Sequence, residues 1–344
     1  MATVENAMNI PTARDLECEA TEVLIAHART AALSVTTRET YDTGWRSWTR
    51  WAGDNARSAL PADPNDLEAW LAELIRQEKK PTTVHTYLAA VVERHNSCPE
   101  PNPARVPEVR KLMAGLNRTR IAEGCTPRQA APLRWRDIER IIDTAHIPRH
   151  NQPGGRVETA EQTAQRALLD IAMIALAHDA ALRCGELLAL RWMDIETPEA
   201  DGLHIVRIRR SKTDQTGRGA VAPISDFSAQ AIARIRPDEA DPQDRIFDIS
   251  PSTVTRHLRA AAKAAGIDPT NITSHSTRVG LAQDLAASDI TLLGVMQAGR
   301  WKSAATALRY TEHLSASETP VGQYLKTQHY QTAGSIGSIA DTSH

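Results

Sequence analysis

Residues 274–314 read SHSTRVGLAQDLAASDITLLGVMQAGRWKSAATALRYTEHL and carry His275, Arg278, Trp301 and Tyr310. His275 and Arg278 stand three apart, so on a helix they share one face. Trp301 and Tyr310 bracket the start of an Ala-rich run with helical character. A phenol, an imidazole and a guanidinium are the parts that attack on a phosphate needs when no metal assists. The remaining chain is read by asking what it adds to them.

The 344 residues suffice for two domains of ordinary size. A formal net charge of −2 does not announce a polyanionic partner, but a balanced total still permits a local basic groove. Cys18, Cys98, Cys125 and Cys184 are scattered without metal-ligand spacing, so reduced thiols and no metal site are expected. The N-terminus lacks the basic-then-apolar pattern of a signal peptide, and no apolar run reaches membrane-spanning length. The expectation is a cytoplasmic, mostly helical protein of two domains.

Residues 1–33 read as a flexible segment with one short helix. Beyond it, Thr36 or Thr37 can cap a helix whose Tyr41, Trp45, Trp48 and Trp51 form one apolar stripe, with Gly53 as its stop. The opposite face carries Arg38, Arg46 and Arg50, either a solvated surface or a phosphate-facing row. Asp63-Pro64 opens a second helix with Leu67, Trp70, Leu71, Leu74 and Ile75 inside. Lys79, Lys80 and Pro81 break the chain before a third helix over 82–95 that buries Val84, Tyr87, Leu88, Val91 and Val92. Its first turn offers Thr83 and Thr86 behind Lys80, which suits either a helix end pointed at DNA or simple capping. A fourth helix is expected over 107–116. The aperiodic stretch 117–132 reads as linker, which places an N-terminal domain at 34–120, a linker at 121–132 and a second domain at 133–326.

In the second domain a short helix is expected over 138–145 and a long Ala/Leu-rich core helix over 158–182. The latter runs into Arg183, whose apolar neighbours mark it as half-buried. Residues 203–209 alternate, 220–224 answer them, and the polar tip between carries Lys212, so the pair reads as a β-hairpin. A helix over 252–266 presents Ser252, Thr253 and Arg256 in its first turns, types that either read base edges and phosphates or merely cap and solvate. A short helix over 318–325 and a disordered tail over 327–344 close the chain.

LRCGELLALRW (182–192), SKT (211–213), HSTR (275–278), GRWKS (299–303) and LRY (308–310), in this order, resemble the tyrosine recombinases of the phage-integrase type. Trp at 301, where most relatives have His, and the S-x-x-E-T tail at 315–319 are similar to the Cre-like members, as is SVTTRETYDTGWRSWTRWAGDN (34–55). The resemblance covers about residues 34–326. It implies a mainly α fold: a four- or five-helix, SAM-like core-binding domain, and an α-rich catalytic domain with a small antiparallel β-sheet. By the same resemblance Arg183 and Arg278 are the catalytic arginines, Lys212 the hairpin lysine, His275 the histidine of H-x-x-R, Trp301 a further donor and Tyr310 the nucleophile. Glu186 matches an acidic residue that supports the site.

The chemistry is consistent with those roles. A phosphodiester gathers negative charge on its non-bridging oxygens during attack, and two guanidiniums can each donate paired hydrogen bonds to them. One preorganised donor of this kind is typically worth ~3–4 kcal/mol of barrier. A tyrosine with its reference pKa of about 10 is roughly one part in a thousand ionised near pH 7, so His275 is cast as proton acceptor and Lys212 as donor to the leaving 5′-oxygen. No metal or cofactor is called for. The resemblance further implies double-stranded DNA with an inverted-repeat site, a homodimer on each site, a homotetramer in synapsis and a Holliday junction between exchanges. A Xer-like resolvase of replicon dimers and a type IB topoisomerase share the kit.

Overall fold

The computed structural model describes residues 33–96, 99, 101–123, 129–150, 155–196, 203–209 and 219–311, with isolated positions at 21, 24, 314, 319, 321, 322, 324 and 325. The expected N-terminal segment, the hairpin tip with Lys212, the tail and most of the closing helix lie outside these residues. The chain divides into two units, residues 1–127 and 128–344.

The first unit is helical. α1 (Val35–Asp54) is capped by Ser34, whose Oγ accepts from Thr37 N. α2 (Pro64–Arg76) is capped by Asp63 with Pro64 in its first turn. α3 (Pro81–Asn96) and α4 (Pro107–Ala122) follow. Trp48 and Trp70 are fully buried, 5.4 Å apart edge to face, and Trp48 Nε1 donates to Ala59 O at 2.9 Å, so the buried indole leaves no donor unmet. His95 is equally enclosed. Its Nε2 accepts from Ala62 N at 3.0 Å, so Nδ1 carries the proton toward Val91 O at 2.8 Å. α1 and α3 run antiparallel, with Gly44 against Tyr87 and Ala90, and Asp42 paired to Arg94 at 3.0 Å. A Cβ on Gly44 would meet Tyr87 Cα at 2.9 Å, so glycine sets how closely these helices approach.

α4 continues to Ala122, through residues 117–122 that the sequence had placed in a linker. No glycine or proline stands between residues 117 and 123, and the backbone ladder persists to Glu123 N→Thr119 O at 2.9 Å.

In the second unit, α5 (Trp135–Thr144) precedes α6 (Ala160–Asp179), which Thr159 and Gln162 cap reciprocally. α6 stops at Asp179 rather than running to 182, because the chain reverses through Ala180 and a left-handed Ala181 (φ 45°). No glycine or proline marks that reversal, so the pattern of small and apolar residues reads straight through it. α7 (Cys184–Ala189) starts at once. A three-stranded antiparallel sheet follows, β1 (Ile195–Glu196), β2 (His204–Ile208) and β3 (Ala220–Ile224), in the order β1-β2-β3. The expected hairpin is present as β2–β3, with Val206 opposite Ala222. β1 has two residues, too few for alternation to show. α8 (Asp226–Ile235) was also not expected. Its N-cap Ser225 is itself held by Asp179, whose Oδ2 accepts from Ser225 Oγ at 2.6 Å and Ser228 Oγ at 2.7 Å.

α9 (Pro251–Ala264), α10 (Ser276–Ala287), α11 (Leu292–Gly299) and α12 (Ala304–Thr311) complete the described part. The main core gathers α6 (Met173, Ile174, Leu176), the sheet (Val206, Ile208, Ile224) and α9 (Val254, Leu258). A separate small cluster, Ala282, Val295, Trp301 and Ala307, joins α10, α11 and α12. The molecule is mainly α with one small open sheet, as the sequence indicated. No helix among the described residues is long and apolar enough to cross a membrane.

Candidate active site

Local backbone chemistry delivers each side chain. Arg183 is the N-cap of α7, and the Glu186 carboxylate reaches back to accept from Arg183 N at 3.0 Å and Arg183 Nη1 at 2.6 Å. Arg183 and Glu186 therefore span one turn of helix closed by its own acid. His275 is the N-cap of α10. A tight turn fixes it: its N–H donates to Thr273 Oγ1 at 3.1 Å, and Ser276 N donates to Thr273 O at 3.0 Å. Arg278 lies one turn inside the same helix.

Arg278 is almost wholly enclosed, 1% exposed, and donates to the carbonyls of Ala181 and Gly299. Its guanidinium lies over the Trp301 ring, 4.7 Å from the centroid. Trp301 in turn stacks on Tyr310 at 4.8 Å. Gly299 is the residue that lets the indole fold back onto α11, since a Cβ there would stand 2.0 Å from the ring. α12 is held at its last turn by Gln283 Nε2 donating to Tyr310 O at 3.4 Å and Gln129 Nε2 donating to Arg309 O at 3.0 Å.

The structure thus brings Arg183, Glu186, Arg278, Trp301 and Tyr310 into one cluster, with His275 within electrostatic reach of Arg278, Arg183 and Glu186. One member was not expected. Arg300, in the left-handed cap after Gly299, donates through Nη2 to Glu186 Oε2 at 2.9 Å. The only trace of it in the sequence is an arginine directly after the glycine that ends a helix.

Three cations and one carboxylate, all largely buried, perturb each other. Burial, with the neighbouring charges of Arg183 and Arg300, pushes the Arg278 pKa down to about 10, against the pull of Glu186 and Tyr310. Arg300 is lowered as well, first by burial. His275 lies below its ordinary value through desolvation and the positive charges of Arg278 and Arg183, so the ring is neutral near pH 7. Cys184, next to Arg183, is pushed up by burial and so is a poor thiolate.

Within the first unit the residues read as DNA contacts do not form one patch. Lys80, Thr83 and Thr86 lie together at the start of α3, where Thr83 N donates to Lys80 O at 2.8 Å and Thr86 Oγ1 to Thr82 O at 2.7 Å. Arg38 sits elsewhere. Because α1 and α3 are antiparallel, it falls toward the far end of α3, roughly 15 Å along the axis at 1.5 Å per residue. Arg46 and Arg50, by contrast, line a groove with Lys79, Trp51 and Tyr87. Ser252 and Thr253 stand in a hydroxyl cluster around the α9 cap, with Ser250 Oγ 2.8 Å from Ser252 Oγ and 3.0 Å from Thr253 Oγ1, while Arg256 is exposed.

A helical first unit, and a second in which one small antiparallel sheet sits among helices and a Tyr310–Trp301–Arg278 stack joins α10 to α12, define a class of mainly α, two-unit proteins. The chain belongs to the phage integrase family. The pattern of that family matches residues 133–317, and that of the phage integrase N-terminal SAM-like domain matches residues 27–95. It is accordingly an enzyme of DNA strand breakage and rejoining. Over 299 residues it is 22% identical to the recombinase Cre of Escherichia phage P1, covering 80% of this chain and 82% of that protein. Over 298 residues it is 24% identical to an integrase/recombinase XerD homolog of Selenomonas ruminantium, covering 80% of this chain and 81% of that protein. In fold it is similar to the Tn1549 transposon integrase in complex with transposon right end DNA, with 12% identity, a TM-score of 0.56, and coverage of 91% of this chain and 99% of that one.

Proposed function

We propose that the chain is a cytoplasmic, Cre-like site-specific recombinase that cuts DNA through a 3′-phosphotyrosine and exchanges strands by way of a Holliday junction. The observation that carries this reading is the Tyr310–Trp301–Arg278 stack, with Arg183 and neutral His275 within electrostatic reach of Arg278. Tyr310 Oη attacks phosphorus and the bond to the 5′-oxygen breaks. His275 takes the phenolic proton, and Lys212, which lies outside the described residues, protonates the leaving oxygen. Arg183 and Arg278 stabilise the non-bridging oxygens, aided by the Trp301 N–H. Attack by another strand's 5′-hydroxyl reverses the step, so the covalent link conserves the bond energy and neither ATP nor a metal is required.

Lys80, Thr83, Thr86, Ser252, Thr253, Arg256 and Arg38 are assigned to the duplex, and the capping bonds at residues 252 and 253 make these two the weaker members. Inverted-repeat half-sites would each hold one protomer, with two dimers pairing as a tetramer. The exposed Val321, Tyr324 and Leu325 support docking of the closing segment on a neighbouring protomer. The comparable identity to a XerD homolog keeps dimer resolution as a second reading, distinguished by dependence on a partner recombinase.

The test uses a pool of nicked duplex oligonucleotides with randomised arms. The wild-type protein forms an SDS-stable protein–DNA adduct from which the preferred duplex is recovered. Tyr310→Phe binds that duplex and forms no adduct; an adduct that persists in this variant overturns the assignment of the nucleophile.

A further inference from the structure

Arg300 occupies a backbone position that side chains avoid. It ends α11 at φ 54° and ψ 44°, the left-handed cap where glycine is the low-cost residue. Its guanidinium is held on several sides. Nη1 donates to Ala180 O at 2.8 Å, and Nη2 donates to Ala181 O at 3.0 Å and Glu186 Oε2 at 2.9 Å. Ala181 is itself left-handed, and its carbonyl also accepts from Arg278. Two unusual backbone turns therefore meet at one oxygen shared by two arginines.

The consequence falls on Glu186. Oε1 faces Arg183 Nη1 at 2.6 Å, while Oε2 is taken by Arg300 and by Arg183 N. A carboxylate beside an arginine tends to a two-pronged pairing that occupies two guanidinium N–H groups. Here Oε2 is turned to Arg300 and the Arg183 N–H, and the contact to the Arg183 guanidinium runs from Oε1. Arg300 is 13% exposed and reaches Arg183 through the Glu186 carboxylate.

We propose that Arg300 is a positioning residue for strand cleavage: it fixes the Glu186 carboxylate and thereby aims Arg183 at the phosphate. The inference rests on the cleavage reading above.

The experiment measures single-turnover adduct formation and equilibrium binding on the duplex recovered with the wild-type protein. Arg300→Gly, which suits the left-handed cap, is expected to slow adduct formation by about tenfold to a hundredfold, the scale of a misplaced catalytic group, with affinity unchanged. Glu186→Gln is expected to slow it as well, and the double variant to be no slower than the slower single one, because both act through one carboxylate. Should Arg300→Gly fail to fold, Arg300→Lys serves. Its single ammonium cannot span the carboxylate and both carbonyls, so it too is expected to be slower than wild type. Wild-type rates in Arg300→Gly or Arg300→Lys, losses that multiply in the double variant, or a loss of affinity matching the loss of rate overturn the proposal. A wild-type protein that forms no adduct would instead overturn the cleavage reading itself.

Discussion

The rings of Trp301 and Tyr310 stack with centroids 4.8 Å apart and planes 28° from parallel, and the Arg278 guanidinium covers the same indole at 4.7 Å. Trp301 is 8% exposed among Ala282, Val295 and Ala307, residues too small to refill its volume. Trp301→Ala is therefore expected to cost about 3–5 kcal/mol in urea unfolding. Trp301→Phe keeps a ring between Arg278 and Tyr310, removes less volume, and is expected to cost less than Trp301→Ala. It lacks the indole N–H, so adduct formation should slow roughly tenfold, the worth of a hydrogen bond to a charged oxygen. A Trp301→Phe protein that cleaves at the wild-type rate would reduce Trp301 to a packing residue.

Gly280 sets how closely α10 approaches the strand of chain before α5. A Cβ at this position would stand 1.8 Å from Leu133 O and 2.9 Å from Arg134 N. Both are backbone atoms, and Leu133 N is tied to Ser276 O at 2.9 Å, so neither yields without breaking a bond that places His275 and Arg278. Gly280→Ala is expected to lower stability by about 3 kcal/mol, at the upper end of overpacking costs, and to slow cleavage in the surviving fold. Unfolding curves matching wild type would show that the approach is looser than the geometry implies.

The sequence made some parts of this site plain and hid others for identifiable reasons. Arg183 and Glu186, though one helical turn apart, were legible only through the resemblance of LRCGELLALRW, whereas the three-residue spacing of His275 and Arg278 puts them on one face and could be read directly. Tyr41, Trp45, Trp48 and Trp51 marked α1 by the same logic. Arg300 was not legible, because its role depends on a left-handed turn at a position without glycine, and on a carboxylate more than a hundred residues away. The end of α6 was missed for a related reason: Ala180 and Ala181 are good helix formers, and tertiary contacts to their carbonyls from Arg278 and Arg300 override that preference. β1 has two residues and takes its identity from pairing with β2.

His178 joins three elements through charge. Its Nε2 is 3.1 Å from Asp284 Oδ2 on α10 and its Nδ1 is 3.5 Å from Asp179 Oδ1, while Arg134 binds Asp284 at 2.7 Å and the Trp135 ring lies 5.8 Å away. Burial works against a charged ring here, but the two carboxylates outweigh it and raise the pKa above its ordinary value. For a raised histidine the added stability is complete below its unfolded pKa of about 6.5 and is lost as pH rises through the folded value. Asp179 and Asp284 are lowered against burial by these same contacts, so their contributions are present above about pH 4 and are lost in acid. Thermal midpoints of wild type and His178→Gln should differ most at pH 6 and converge toward pH 9. A difference that stays constant across that range would show that His178 is neutral throughout.

Asp170 offers a test of how this fold tolerates a lost anion. It is fully buried, accepts from Arg149 Nη1 at 2.7 Å, contacts His257 Nδ1 at 2.6 Å and lies 3.7 Å from Arg166. Arg166 has other anchors, in Glu158 and the carbonyls of Ala145 and Ile147. Arg149 does not share that insurance: its Nε and Nη2 are buried without a hydrogen-bond partner among the described residues. Asp170→Ala strands that guanidinium and is expected to cost about 3–5 kcal/mol. Asp170→Asn keeps an acceptor of the same shape and is expected to cost less, while Arg149→Met with Asp170→Leu removes both charges and should recover most of the loss. The measurement is urea unfolding of the four proteins. A double variant as unstable as Asp170→Ala would mean that the ion pair, and not the orphaned arginine, accounts for the loss.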